Sequence, residues 1–471
     1  MHLDVQRCHR EYGDLIRYAP NQILSLHPPD MNAIYSHGAP FRKAKGYATM
    51  IPTPNGWSTM TSIDKTLHHN LRAVVRSGLG AEYLTRFEPA ILRHLKIYFS
   101  ELQKNQDPDG WTAAANMRKW NLYLGFDTMA DFGLGLKTDL LRSSAREYIF
   151  PALHMHEKKM GLWEQLPMLS NAGIGRLVGA VFPLVSSRAA NFSKWYHGFM
   201  ELAISTNMSE SHGIFGPVIQ SGQGTLKSKT PGRGHDREQM VTEGAFSTFS
   251  SADAYGILLS GLFHYLCHYP RVYEKLAADM RGRYVPGEDI VWDANLASSV
   301  YLRAVINEVL RLLPPACGVH WRECERQGFA VGPDRVPMSA GSDVGMSLFS
   351  VFRDGRIYRD PVTFWPERWI PGTLPEDEFS RAKNMFTPFS IGPRNCAGSH
   401  VAMMMVSIAY AYVLVNYDFR FGQEQRTLRP HLVSNSVAEE GAELELTFES
   451  HYSIASWESG PFVQFRARQR E

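Results

Sequence analysis

The sequence predicts a mainly α-helical fold with small β-sheets, and three observations support this. From Asp64 to about Leu313, apolar residues recur at helical spacing. After Pro315 the sequence changes to short β-like runs separated by turns, followed by a meander rich in proline. No internal repeat of about 20 to 50 residues is visible, which argues against a solenoid or a propeller. We therefore expect a helical body that carries small sheets.

The secondary-structure elements can be predicted in chain order. A short hairpin is expected over 14–26, around Pro20 and Asn21. Two short strands are expected near the C-terminus, in "ELELTFES" and "PFVQFRAR". Eight segments between the hairpin and the C-terminal strands show helical periodicity: 64–78, 81–104, 112–137, 145–160, 186–208, 237–269, 270–282 and 297–313.

The segment 209–236 is the best candidate for a linker, since it contains six glycines and little periodicity. It is predicted to be a mobile surface loop. A domain boundary is the alternative, but no change of composition follows the segment. We therefore expect one catalytic domain over residues 1–471.

Composition and charge exclude several classes of protein. The chain has 49 basic and 47 acidic residues and a formal net charge of +2, so bulk charge does not indicate a nucleic-acid-binding protein. Its five cysteines are irregularly spaced and form no Cys-x-x-Cys pair. This argues against a disulfide framework and for a reducing compartment.

No segment predicts a membrane span. The polar start "MHLDVQRCHREYGDLIRY" is neither a signal peptide nor an anchor. The apolar run 401–415 contains Ser407 and is shorter than the roughly 18 residues of a span, so it predicts a buried core helix. Residues 177–185, "LVGAVFPLV", are predicted as core, with a monotopic membrane role as the alternative. As written, the chain is expected to be soluble and cytoplasmic. If an anchor has been removed, we expect it on the cytosolic face of the endoplasmic reticulum.

The segment "PFSIGPRNCAGSHVAMMM" is the strongest chemical motif. It is a glycine-containing loop that leads into an apolar helix, with Cys396 near the helix N-terminus, where backbone N–H groups stabilise a thiolate. Gly392 and Gly398 allow close approach of a flat ligand, Arg394 can neutralise an anionic edge, and Phe389 can exclude water. These properties suit an axial haem ligand. A buried, inert cysteine is the alternative.

A second motif supports the haem interpretation. In "YLRAVINEVLRLLPP", Glu308 and Arg311 lie three apart on one helix face and can pair. Downstream, "FWPERW" supplies Arg368. A Glu-x-x-Arg pair alone is weak evidence, since most such pairs are on the surface and contribute little. Here both motifs precede the cysteine loop in order.

With these motifs, the chain resembles a cytochrome P-450, a haem-thiolate monooxygenase, of the fungal secondary-metabolism type. The resemblance implies one domain with haem between a long central helix and the cysteine loop. It implies that Cys396 ligates the iron and that Glu308, Arg311 and Arg368 form the family's structural ion network. Arg322, in "RLLPPACGVHWR", and His68 and Arg72, in "DKTLHHNLRAVVR", resemble residues that face the haem propionates. For His68, a plain amphipathic basic helix is an equal alternative.

The predicted long helix 237–269 departs from the family pattern. Aligned from its end, "SSADAYG" matches the oxygen-activating segment, with Asp253 as the acid and Ala254 in place of the threonine that helps deliver protons. Asp253 is expected to line a cavity rather than to be capped or paired with solvent. Proton delivery would then use Ser250, Ser251, ordered water or a substrate hydroxyl. By resemblance, the substrate pocket is expected to include residues 47–61, Phe249, Ala252 and Val319.

The leading hypothesis is therefore a monomeric haem b monooxygenase. It would use O₂, and electrons from NADPH through a separate NADPH-cytochrome P-450 reductase, to oxidise an apolar small-to-medium metabolite. Because Ala254 replaces the threonine, a second hypothesis is atypical chemistry: coupling, rearrangement, dehydration or a peroxide-driven reaction. A third is a haem-binding sensor or carrier without catalysis.

Overall fold

The fold is that of a computed structural model, which describes residues 2–51, 56–143, 237–423 and 460–469, with six further residues between 195 and 205. Several predicted features lie outside these residues: the helix 145–160, most of the helix 186–208, the loop 209–236, the segment 177–185 and the strand in "ELELTFES".

Twelve helices are seen in the described residues, and the mainly α prediction is confirmed. The predicted helices 64–78, 81–104, 112–137, 237–269, 270–282 and 297–313 are confirmed, with shifted ends. Two N-terminal helices, α1 and α2, were not predicted. The helices are α1 His2–Tyr12, α2 Pro28–Tyr35, α3 Lys65–Ser77, α4 Ala81–Leu102, α5 Met117–Leu134, α6 Arg237–His268, α7 Pro270–Arg283, α8 Ala294–Ala297, α9 Val300–Leu312, α10 Leu348–Val351, α11 Glu376–Met385 and α12 Ser399–Asn416.

The described strands form three small sheets. The largest has the order β1-β2-β8-β5-β3, the second has the order β4-β10-β9, and β6 pairs with β7. The predicted hairpin is the antiparallel pair β1–β2, and "PFVQFRAR" contains β10. The strands are β1 Leu15–Ala19, β2 Gln22–Ser25, β3 Phe41–Lys43, β4 Ala115–Asn116, β5 Arg322–Cys324, β6 Phe329–Val331, β7 Val336–Met338, β8 Asp343–Gly345, β9 Tyr417–Phe421 and β10 Phe462–Ala467.

Helix α6 packs tightly against α5. A Cβ at Gly125 of α5 would clash with the carbonyl oxygen of Ala252, and a Cβ at Gly256 would lie 3.2 Å from the backbone nitrogen of Leu122. Only glycine allows the two backbones to approach so closely at these points. This contact fixes the rotation of α6 about its axis, and with it the side chains that α6 turns toward α5.

Helix α12 follows the cysteine loop and lies in the main core. Tyr410 donates from its hydroxyl to the carbonyl oxygen of Leu258 on α6, at 2.6 Å. Among the described helices, Ser399–Asn416 is long and apolar enough to cross a membrane, but 78% of it is buried within the protein. The prediction of a core helix over 401–415 is therefore confirmed.

Candidate active site

The cysteine loop is a closed turn that is pinned to α2. The backbone N–H of Cys396 donates to the carbonyl oxygen of Phe389 at 2.8 Å. Gly392 has a φ of 71°, and a Cβ there would clash with the carbonyl oxygen of Tyr35. Both the left-handed backbone and the close approach require glycine. The loop is therefore set by its own backbone and by α2.

The Cys396 side chain faces open space from inside the protein. It is exposed, yet burial by the surrounding atoms still raises the pKa of its thiol, while the N–H of Gly398 and the charge of Arg72 act to lower it. Both properties hold together when the sulfur lines a recess rather than the outer surface. A Cβ at Gly398 would meet no protein atom within 4 Å. The recess therefore has room beside the sulfur.

Four basic residues lie at this loop, and we call them the cation set: His68 and Arg72 of α3 and Arg322 of β5, which are buried, and Arg394 of the loop itself, which is partly exposed. Desolvation and then the charges of Arg394 and other cations lower the pKa of His68 to about 3. Desolvation and then the charge of Arg322 lower the pKa of Arg394 to about 10. The residues of the cation set therefore lie close together, and both their desolvation and their mutual repulsion cost free energy.

The arginines of the cation set bond to neutral oxygen atoms. Arg72 donates to Asn395 Oδ1 at 2.6 Å and also to the Asn395 carbonyl oxygen. Arg394 donates to the carbonyl oxygens of Ser62 and Ile63, at 2.7 and 3.3 Å. Arg322 donates to the Trp321 carbonyl oxygen at 3.0 Å. In addition, Arg72 Nε is buried and has no partner in the described part of the chain. The set fits an anionic group.

Glu308, Arg311 and Arg368 form a second buried group, in which every charge is paired. Arg311 donates from Nη2 and Nε to the Glu308 carboxylate, at 2.8 and 2.9 Å, and Arg368 donates from Nε at 3.0 Å. The three side chains are fully buried. Burial alone would raise the pKa of Glu308, but Arg311 and Arg368 hold it below its usual value.

This ion network also ties the meander to α9. The Glu308 carboxylate accepts from the Trp365 backbone N–H and the Trp369 indole, both at 2.9 Å. Arg311 donates to the Phe352 carbonyl oxygen at 2.7 Å, and Arg368 to the Asp360 carbonyl oxygen at 2.9 Å. The structure thus brings together the three residues that the sequence predicted to pair.

Residues 242–255 of α6 are mostly buried, but one face of the helix is partly exposed there. The partly exposed residues are spaced by four, which places them on the same side of the helix. The partly exposed residues of this face, which we call the serine stripe, are Phe246, Ser247, Ser250, Ser251 and Ala254. Ser250, Ser251 and Ala254 thus lie together, as the sequence interpretation requires.

Asp253 lies on a different face of α6, toward α5. Its Oδ1 accepts from Nη2 of Arg118, and both residues are almost fully buried. Three atoms of this pair, Asp253 Oδ2 and Arg118 Nε and Nη1, are buried without a partner among the described residues. The expectation that Asp253 is cavity-lining rather than paired is therefore not what the structure shows. The carboxylate is paired because α5 presents Arg118 in its first turn.

The remaining pocket predictions are placed as follows. Phe249 is buried, with its ring 5.2 Å from that of Phe126 on α5 and 5.5 Å from that of Trp195. Ala252 is buried against Gly125. Val319 is buried beside Gly345 of β8. These three residues pack in the protein interior, and their contribution to a pocket stays a prediction.

Comparisons with known proteins decide the family. A sequence model described as "Cytochrome P450" matches residues 244–444, which include Asp253, the ion network and Cys396. The chain is 28% identical to the cytochrome P450 monooxygenase apf7 of Gibberella fujikuroi, over 100% of this chain and 89% of that protein. The chain belongs to the cytochrome P450 family. It is also 25% identical to monooxygenase AKT7 of Alternaria alternata and 26% identical to monooxygenase atnE of Emericella nidulans. Each alignment covers 99% of this chain, with 88% of AKT7 and 87% of atnE.

As a cytochrome P450 monooxygenase, the chain is an oxidoreductase, and its family implies haem iron. Within the described residues, no group of three or more His, Cys, Asp or Glu could hold a bare metal ion. A cofactor that carries its iron and two carboxylates needs only one protein sulfur and several cations. The cysteine recess and the cation set supply both, so the residues fit this group.

Sequence reasoning missed Arg118, Lys43 and Glu243. Arg118 follows Asn116, whose side chain accepts from the backbone N–H of Lys119 and starts α5. Nothing in that local sequence indicates a partner 135 residues away. Lys43 of β3 lies 4.3 Å from the Tyr47 ring and donates to the Met60 carbonyl oxygen. Such contacts depend on chain crossings that single-sequence periodicity does not reveal.

Proposed function

We propose that this P450 holds haem b with Cys396 as its thiolate ligand and oxidises an apolar, small-to-medium secondary metabolite. The reaction is hydroxylation or a related C–H or C–C oxidation. It uses O₂ and electrons that originate from NADPH and arrive through a separate NADPH-cytochrome P450 reductase. The observation that carries the proposal is the juxtaposition of a recessed Cys396 with three arginines whose hydrogen bonds, within the described part of the chain, go to neutral oxygens.

Each binding residue has a role that follows from its charge and position. Arg72, Arg322 and Arg394, with His68, would hold the two haem propionates, whose charge would relieve the repulsion within the cation set. The Gly398 N–H, which lowers the pKa of the Cys396 thiol, would stabilise the thiolate. Gly392 positions the loop, and Phe389 limits water. When bound, the haem supplies the oxidising chemistry, which a thiolate ligand favours.

The serine stripe is the proposed floor of the substrate cavity. Ser250 lies four residues before Ala254 on the same face, so its hydroxyl can take over part of the role of the missing threonine. Asp253, paired with Arg118, is the nearest carboxylate along the helix, and its Oδ2, which has no partner in the described part of the chain, would exchange protons with water that enters the site. We propose that the enzyme is a monomer. If a membrane anchor precedes this sequence, it would hold the enzyme on the cytosolic face of the endoplasmic reticulum.

The haem-ligand proposal is tested by the spectrum of the reduced protein under carbon monoxide. A thiolate-ligated haem gives a strongly red-shifted Soret band, and Cys396→Ala should abolish it. Cys324→Ala is the matched control, since Cys324 is buried in a sheet and donates to the Arg326 carbonyl oxygen. Survival of the band in Cys396→Ala would refute the assignment.

A second candidate function is favoured by Ala254: coupling, rearrangement, dehydration or a peroxide-driven reaction. The serine stripe ends in a methyl group, and Asp253 is tied to Arg118, so ordinary proton delivery lacks its usual hydroxyl. Turnover should be compared with NADPH, reductase and O₂, and with hydrogen peroxide alone. Product formation that requires NADPH and O₂ supports the monooxygenase, whereas formation without either supports the second candidate.

A further inference from the structure

Glu243 on α6 is a buried carboxylate that the proposed reaction does not use. It is 2% exposed. Its Oε2 accepts from the backbone N–H of Thr59 at 2.5 Å, and its Oε1 accepts from the Thr59 hydroxyl at 2.7 Å. A weaker contact from the Ser247 hydroxyl, at 3.5 Å, reaches the same Oε1. One residue of a distant loop thus satisfies both carboxylate oxygens.

The segment that carries Thr59 is compact and is held at two more points. Within it, the Ser58 N–H donates to Thr61 Oγ1 at 2.9 Å, and the Ser62 N–H donates to the Ser58 carbonyl oxygen at 2.9 Å. Lys43 donates to the carbonyl oxygen of Met60. Arg394 of the cysteine loop donates to the carbonyl oxygens of the last two residues. We call residues 58–63 the bridging segment.

The bridging segment therefore spans the site between its two main walls. At one end it is bonded to Glu243, which contacts Ser247 of the serine stripe. At the other end it is bonded to Arg394, two residues before Cys396. A segment bonded to both walls lies along the side of the space that they enclose.

We propose that Glu243 and Thr59 form a latch that holds the bridging segment against α6, and that this latch determines which substrates enter the site. The inference rests on the proposed function for the location of the substrate. Glu243 is a positioning residue, since it acts through the segment and not on the substrate.

A carboxylate suits a latch better than an apolar contact would. When the segment moves, both oxygens lose their strong donors at once, and a buried carboxylate without donors is costly until water replaces them. The contact between Glu243 and Thr59 is therefore either formed or broken, and partly bonded states are disfavoured. Burial raises the pKa of Glu243, while Thr59, Ser247 and the charge of Lys43 act to lower it. The charge of Arg72 also faces this carboxylate.

The test uses Glu243→Gln and Thr59→Val. Glutamine keeps the shape but turns an amide donor toward one of the Thr59 donors, and valine removes only the hydroxyl. Thr248→Val is the matched control, because the Thr248 hydroxyl donates to the Gly244 carbonyl oxygen within α6. The haem-loaded protein is studied with 4-phenylimidazole and carbon monoxide as probes, and hydrogen exchange is measured over residues 56–63.

Both variants should accelerate exchange of the backbone amide at position 59 and association of 4-phenylimidazole by about tenfold or more, the loss expected for a charged hydrogen bond. Carbon monoxide, which is far smaller, should bind at an unchanged rate. The control should match the wild type in all three. Unchanged exchange, or faster exchange with unchanged 4-phenylimidazole association, overturns the latch. Exchange needs no haem, so if the thiolate band were missing, the proposed function would be refuted while exchange of the haem-free protein would still test the contact between Glu243 and Thr59.

Discussion

Two groups of largely buried arginines in this P450 differ in how their charges are satisfied. In the ion network, Arg311 and Arg368 bond to one carboxylate and to backbone carbonyl oxygens, and every donor lies near an acceptor of this chain. In the cation set, the hydrogen bonds that Arg72, Arg322 and Arg394 make to described residues go to neutral oxygens. The first group is complete without a ligand, and the second is not.

The way in which the charges are satisfied distinguishes arginines that stabilise the fold from arginines that bind a ligand, and it does so better than burial does. Both groups lie largely in the interior, and burying a charge without a partner costs several kcal/mol or more. In the ion network, contacts within the protein offset that cost, so removing one of its residues should lower the stability of the fold. The cation set recovers it only when an anion enters, so its removal should damage binding. The same kind of substitution should therefore have opposite consequences at the two places.

The largest expected effect is at the ion network. Arg368→Ala leaves Glu308 with one partner fewer in a fully buried position, which should cost about 3–5 kcal/mol of the free energy of unfolding. Denaturant unfolding and the yield of soluble, haem-loaded protein measure it. Arg381→Ala is the matched control, because Arg381 pairs with Asp377 on the surface at 3.1 Å and should change stability by about 1 kcal/mol at most. Normal yield of active Arg368→Ala would show that the network is not structural.

The Arg118–Asp253 pair lies between the two extremes, with one bond made and three buried atoms that have no partner among the described residues. If Asp253 delivers protons, Asp253→Asn should slow oxidation by roughly 10²–10⁴-fold, the usual contribution of a positioned acid or base, and leave the thiolate spectrum intact. Rates of product formation and of NADPH use are the measurements. An unchanged rate would place the proton route elsewhere.

Ala254→Thr is a finer probe of the same helix. If a substrate hydroxyl or an ordered water occupies the space beside Ala254, the added side chain should displace it. The fraction of NADPH that yields product should then fall, although the sequence moves closer to its family pattern. A rise in that fraction would instead identify the chemistry as ordinary hydroxylation. Ala252 lies on the face of α6 that packs against α5. The variant Ala252→Thr is therefore the control for effects on helix packing, as distinct from effects on the pocket.

The cation set should respond in the opposite way to the ion network. Arg322→Met removes one of several like charges, so the haem-free chain should be as stable as the wild type or more so. Loss of haem should become about tenfold faster, as expected when one charged hydrogen bond is removed. Transfer of haem to an acceptor protein measures the rate, and denaturant unfolding measures the stability. Lower stability of the haem-free variant would show that Arg322 is structural.

The sequence predicted the local parts of both groups but not their surroundings. Glu308 and Arg311 lie three apart on one helix, and Cys396 follows a glycine turn, so short-range geometry alone identifies them. The pairing of Asp253 with Arg118 and of Glu243 with Thr59 depends on how α5 and the bridging segment approach α6. The approach of α5 is set by the glycines at 125 and 256, whose role becomes visible only when the two helices are in contact. The approach of the bridging segment depends on its hydrogen bonds to Glu243 and Arg394.

The smallest expected effect, and the most specific, concerns His68. Its pKa is lowered to about 3, first by desolvation and then by Arg394, Lys43 and Arg72. In the unfolded chain, histidine takes up a proton near pH 6.5. Neutral His68 therefore contributes stability above about pH 6.5 that is lost as the pH falls toward 3. The haem-free chain should lose stability over this window, and His68→Phe should lose less.

Haem binding supplies the comparison that decides the origin of this effect. If two propionates enter the cation set, their charge should raise the pKa of His68, since an opposite charge favours the protonated ring. The difference between wild type and His68→Phe, measured by urea unfolding at pH 7 and pH 5, should then shrink in the haem-loaded protein. If the difference is the same with and without haem, desolvation alone governs His68, and the propionates lie away from it. In that case His68 belongs to a basic helix face, and the anion site reduces to the three arginines.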